Sequence, residues 1–239
     1  MTPSTSIIPP VVSTPGARPP EGGLSFFSTA LPLKTHLYVD GFNLYYGCLK
    51  GSQYKWLNPA EMAKLLLPGH VITAVHYFSA NVTARPEDKD QPIRQQTYFR
   101  ALRTVPGLTI QLGYFNTNAV RMALVDPPRE GPAIVRVWRT DEKGSDVNLA
   151  TQLLIDGFTG ACDCAVLVTN DSDLLGPIRA LRRRFGKVVG ILNPQKRPAR
   201  ALHGEVDFYK RIRAGVLGAS QFPAVLTDAK GSFSKPGAW

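Results

Sequence analysis

Cysteine is scarce in this chain, with three among 239 residues. Cys48, Cys162 and Cys164 cannot build a disulfide framework, and Cys162-Asp163-Cys164 has no second pair to complete a zinc site. The thiols are therefore expected to be reduced and mostly buried. Long apolar runs are also missing: nothing approaches the roughly 20 residues of a transmembrane helix, and the amino terminus lacks the basic-then-apolar order of a signal peptide. No membrane partner and a cytoplasmic location are the resulting expectations. Acidic residues are the minority charge, 18 against 28 Lys and Arg, for a net charge of +10. Such a balance favours a polyanionic partner such as nucleic acid. The 44% hydrophobic fraction is ordinary for a soluble globule, and the length suits one sizeable α/β domain better than two.

Prolines crowd the first 33 residues (Pro3, Pro9, Pro10, Pro15, Pro19, Pro20, Pro32) among Ser, Thr and Gly, so 1–33 reads as a disordered, polyproline-like leader. The folded part is expected over 34–213, with 214–239 as an irregular tail. His36 to Val39 reads as a strand that runs into Asp40-Gly41-Phe42-Asn43, and Asn58-Pro59 as a helix start. Val71–Ser79 and Leu108–Phe115 read as further strands, with a helix opened by Pro92 between them. Residues 118–125 and 133–139 flank Asp126-Pro127-Pro128-Arg129-Glu130-Gly131 and read as a hairpin, inserted over 116–139. A helix with Val147, Ala150, Leu154 and Phe158 at helical spacing follows. Strands alternating with helices imply right-handed crossovers and a mainly parallel sheet.

Cys164 to Pro177, CAVLVTNDSDLLGP, is the most informative stretch. Ala165 to Val168 has no helical period and reads as a strand buried on both faces. Asp171 and Asp173 come directly after it, at the carboxyl end where open α/β sheets place their ligands. Asp40 ends the first strand in the same way, and Asp146 opens a helix. If the first strand and that at 164–168 are central neighbours, these four carboxylates converge, and a divalent cation offsets their repulsion. Oxygen donors favour Mg²⁺ or Mn²⁺ over zinc. Each acid also has a plainer role: Asp173 as an N-cap, Asp146 as a favourable charge in a first helical turn.

Tyr38-Val39-Asp40-Gly41-Phe42-Asn43, Glu142 to Ala150 and Val168 to Leu174 together resemble the three acidic motifs of NYN domains, in the PIN-like nuclease superfamily. The resemblance spans roughly Thr35 to Tyr209. It implies a Rossmann-like, three-layer α/β/α PIN-like fold and a metal-dependent ribonuclease. Asp40, Asp146, Asp171 and Asp173 match the family's catalytic and metal-binding acids, and Asn43 a polar residue beside them. Asn170 stands where many relatives have glycine.

The mechanism expected on these grounds is in-line attack of a metal-activated water on a phosphodiester of single-stranded RNA, leaving a 5′ phosphate. Asn43 and Thr169 would orient water or a phosphate oxygen, Lys143 would meet a neighbouring phosphate, and Arg100 would help line a cationic groove. Two alternatives stay open: a non-catalytic RNA-binding module of the same fold, and a phosphohydrolase acting on small phosphate esters. Oligomeric state is open too, a homo-oligomer included.

Overall fold

A computed structural model of the chain describes residues 32–239, so the expected leader lies almost wholly outside the described residues. The elements in order are β1 (Leu33–Asp40), α1 (Gly41–Leu44), α2 (Pro59–Leu66), β2 (His70–Ala80), α3 (Gln91–Leu102), β3 (Leu108–Ala123), β4 (Ile134–Lys143), α4 (Ser145–Thr159), β5 (Cys164–Val168), α5 (Leu175–Arg183), β6 (Val188–Asn193), α6 (Arg200–His203), β7 (Phe208–Arg211), α7 (Ala214–Ala219), β8 (Val225–Asp228) and β9 (Gly231–Ser234). The main sheet has the order β4-β3-β2-β1-β5-β6-β7. All its pairings are parallel except β3 with β4.

β1 is buried from Thr35 to Asp40 and β5 over its whole length. They pair in register, Val39 opposite Val168. Alternation divides their side chains between two apolar layers. Leu37 and Val39 join Val75, Tyr77, Phe99 and Trp56 on one face. Tyr38 joins Leu149, Leu153, Ile178 and Leu181 of α4 and α5 on the other. The chain leaves β1 for β2 on one side, while β5 lies on the other, so the strand order reverses at the β1–β5 seam. This reversal opens the crevice in which α/β sheets hold ligands.

Asn58 caps α2 by accepting from the backbone N–H groups of Ala60 and Glu61, as its place before Pro59 predicts. Gly41, at the turn from β1 into α1, has no room for a side chain. A Cβ there would lie 2.7 Å from the Phe78 carbonyl oxygen and 2.8 Å from the Tyr77 ring, so it is β2 that needs the space. The expected hairpin grows out of β3 without a break. Its strands pair from Tyr114–Lys143 to Ala123–Ile134 as an arm exposed along most of its length.

The segment expected to be an irregular tail is ordered and packs on the domain. Phe222 is buried, and the Pro223 carbonyl accepts from the indole N–H of Trp56 at 2.8 Å. Rings of Phe222, Phe233, Trp239 and Tyr98 surround Trp56 at centroid distances of 5.8 to 6.5 Å. The sequence signal is weak because single aromatics in short strands and turns leave no periodicity, yet each buries a large apolar area. β7 escapes notice for the same reason. Among the described residues, no helix is long and apolar enough to cross a membrane.

Candidate metal centre and cleft

At the β1–β5 seam a cavity of about 490 Å³ is lined by Asp40, Asn43, Glu142, Ser145, Asp146 and Asp171, with Arg85, Phe42, Tyr46 and Phe115 on its walls. Its acids come from four places: the end of β1, the end of β4, the first turn of α4 and the turn after β5.

Asp40 is 6% exposed. One carboxylate oxygen accepts from the Asn43 backbone N–H at 2.9 Å and the other from the Thr169 hydroxyl at 3.1 Å. Burial pushes its pKa up to about 6; the Asn43 bond opposes this, and Asp146 and Asp171 add to it. Asp146 opens to the cleft, and its pKa is also raised, first by desolvation, then by Asp171, Glu142 and Asp173. The protein thus holds several negative charges where each disfavours the next.

The turn after β5 is built from short polar links. The Asp171 backbone N–H donates to the Thr169 hydroxyl at 3.1 Å, and the Asp171 carboxylate accepts from the Asp173 N–H at 2.9 Å. Asp171 caps the turn at Ser172–Leu174 and still faces the cavity. Asp173, expected as a fourth ligand, is exposed at the rim and does not line the cavity. Asn43 accepts from the Asn170 N–H at 3.2 Å, tying the turns after β1 and β5 together. Asn170 reaches outward, accepting from the Ala199 N–H and the Tyr209 hydroxyl. It fastens the 195–199 loop, whose Lys196 and Arg197 are exposed beside Asn43.

Two of the expected phosphate contacts are elsewhere. Strand parity turns Glu142 inward beside Phe115 and leaves its neighbour Lys143 outside the cavity. Arg100 makes two 2.7 Å bonds to Asp228, donates to the Gly231 carbonyl and lies over the Phe233 ring, so it clamps the β8–β9 hairpin onto α3. Sequence reading also missed two cleft residues. Glu142 accepts from the Ser145 N–H and hydroxyl, at 3.2 and 2.7 Å, and Arg85 is a cation on the cavity wall. Parity along β4 was the available signal for Glu142, but a solvent-exposed arm shows no apolar alternation to set it.

An all-carboxylate donor set, in which Asp40 and Asp146 both have raised pKa values, fits a hard divalent cation. A second group can also hold a metal ion: His36, His76 and Asp156, all buried, offer ligand atoms within 4.8 Å of one another. It lies on the same face of β1 as Asp40, four residues or about 13 Å back along the strand. Here Asp156 accepts from Tyr38 at 2.7 Å, His36 at 3.0 Å and Gln152 at 2.8 Å. Burial alone would raise the Asp156 pKa, but those bonds outweigh it and the net direction is down. The buried His76 Nε2 lies 3.3 Å from Asp156 Oδ2 but outside hydrogen-bond geometry.

The fold and cleft define a PIN-like α/β domain. A family model for the NYN domain matches residues 34–210, and the chain belongs to that family. It is 34% identical over 238 residues to 6-hydroxy-3-succinoylpyridine 3-monooxygenase HspA of Pseudomonas putida (strain DSM 28022 / S16), covering 87% of this chain and 76% of the relative. Among solved structures, a protein of unknown function from Vibrio parahaemolyticus superposes with a TM-score of 0.51 at 16% identity, covering 78% of this chain and 96% of the other. That likeness concerns the fold alone.

Proposed function

We propose that the protein is a ribonuclease dependent on Mg²⁺ or Mn²⁺ that hydrolyses phosphodiester bonds of single-stranded RNA. The observation that carries this reading is the convergence of Asp40, Asp146 and Asp171 from three separate segments on one open cleft. Asp40, Asp146 and Asp171 would hold the ion, with Glu142 beside them. When bound, the ion would lower the pKa of a water and neutralise charge developing at phosphorus. The chain's residues do the rest. Thr169 and the Asn43 N–H fix the Asp40 carboxylate, Glu142 fixes the start of α4 and so Asp146, and Asn43 holds the Asp171 turn against β1. Arg85, with Lys196 and Arg197 beyond Asn43, supplies positive charge for neighbouring phosphates. His36, His76 and Asp156 are buried and line neither the acidic cleft nor the cavity beside it, whereas Asp40, Asp146 and Asp171 line the open cleft, so the reacting phosphate is assigned there.

The test is cleavage of single-stranded RNA by purified protein with Mn²⁺, against Asp171→Asn. The variant should lose more than the roughly 10–100-fold typical of residues one step removed from a metal, with a melting temperature equal or higher. Equal cleavage by parent and variant overturns the assignment. The named relative favours a second reading, hydroxylation of a pyridine-type ring, which an aromatic-walled cavity beside the acids would accommodate. Dioxygen uptake on adding 6-hydroxy-3-succinoylpyridine together with a two-electron donor such as a reduced nicotinamide, without RNA cleavage, would decide for it.

A further inference from the structure

A second cavity of about 410 Å³ adjoins the acidic cleft and shares Phe42, Tyr46, Val82 and Gln91 with it. Where the acidic cleft is walled by carboxylates, this one is walled by flat rings. Tyr45 and Tyr46 enter from the stretch after α1, which is wound wider than an α-helix, with the Lys50 N–H donating to the Tyr45 carbonyl five residues back at 2.7 Å. Such widened turns recur at functional sites. Tyr77 comes from β2, Tyr98 from α3 and Trp239 from the end of the chain. The Tyr98 and Trp239 rings meet edge to face at 5.8 Å, and Tyr77 meets Tyr98 at 6.1 Å.

The polar groups of this cavity differ in how far they are already engaged. Arg94 is paired with Asp88. Gln95 donates to the Ala80 carbonyl and accepts from the Val82 N–H. Gln91, on the wall common to both cavities, makes no side-chain hydrogen bond among the described residues, and Lys55 makes neither a hydrogen bond nor an ion pair among them. A free amide can both donate to and accept from the edge of a heterocycle, and a free cation suits a phosphate entering with it. Flat walls, one unspent amide and one unspent cation beside a site for phosphate match a nucleotide better than an aliphatic ligand or a peptide.

We propose that this cavity receives a nucleobase of the RNA strand, stacked against Tyr46 with its edge on Gln91, while the adjoining phosphate meets the acids. The proposal rests on the ribonuclease reading and adds to it a base-binding subsite. Tyr46 is 52% exposed, with Lys50 Nζ over its ring at 4.9 Å and Tyr45 edge-on at 5.3 Å, so a base stacks on the ring face away from Lys50 and removal of Tyr46 leaves the core intact.

The experiment measures binding and cleavage separately. Fluorescence anisotropy on Asp171→Asn protein compares a labelled oligouridylate with an abasic ribose-phosphate oligomer of equal length. The base-bearing strand should bind roughly 5- to 150-fold more tightly, the range expected for one stacked base. Adding Tyr46→Ala or Gln91→Ala should shrink that ratio while abasic binding and the melting temperature hold. Equal affinity for the two oligomers overturns the subsite, as does equal loss for both strands on Tyr46→Ala. So does a free heteroaromatic acid such as 6-hydroxy-3-succinoylpyridine that binds as tightly as the oligouridylate and displaces it. Cleavage by the parent protein is followed in parallel with Mn²⁺. Cleavage without base-dependent binding removes the subsite and leaves the ribonuclease. Base-dependent binding without cleavage supports the subsite and removes the ribonuclease.

Discussion

Asp40 is the residue on which chemistry and stability meet. Burial pushes its carboxyl pKa up to about 6 from the ordinary 3.8, and the neighbouring carboxylates of Asp146 and Asp171 add to this. A raised acid contributes stability that is fully present below the unfolded pKa and lost as pH rises through the folded one. In metal-free protein, Asp40→Asn should therefore melt close to the parent at pH 4 and above it at pH 8. The pKa difference corresponds to on the order of 2–3 kcal/mol at most. Melting curves without and with Mn²⁺ check this, since the ion should erase the advantage of the variant. The same logic separates Glu142 from Lys143. Glu142→Gln leaves Ser145 less firmly held and should cut cleavage by roughly 10-fold or more, whereas Lys143→Ala, outside the cleft, should leave it within about 2-fold of the parent.

Among the elements, those buried on both faces were the ones legible in the sequence. β5 and the end of β1 are uninterrupted apolar runs closed by polar turns, so both their position and the acids at their ends followed directly. Four of the residues expected at the site, Asp40, Asn43, Asp146 and Asp171, line one cavity, and Thr169 binds Asp40 from behind. Solvent-exposed elements were the ones misread. β4 shows no apolar alternation, so nothing in it indicated that Glu142 rather than Lys143 faces inward. The charge of Arg100 alone predicts a groove cation, whereas its partner Asp228 lies 128 residues later, in a segment without helical or strand periodicity. That segment is structural: Trp56 is fully buried against it. Trp56→Ala should cost about 3–5 kcal/mol, read as a lower midpoint in urea unfolding, and should not remove metal binding.

Over the whole molecule, charge is distributed in opposition. The chain is strongly basic, yet the cleft at its strand reversal is acidic, with Arg85 on the wall and Lys196 and Arg197 beyond Asn43. RNA binding should therefore weaken linearly in log Kd with log salt, by about 0.7 per phosphate engaged. Arg85→Ala should flatten that slope and Arg100→Ala should not. A crystal soaked in Mn²⁺ shows whether a divalent ion belongs among Asp40, Asp146 and Asp171. An anomalous peak between those carboxylates is the expected result. No peak there, or a peak only at His36, His76 and Asp156, would contradict it.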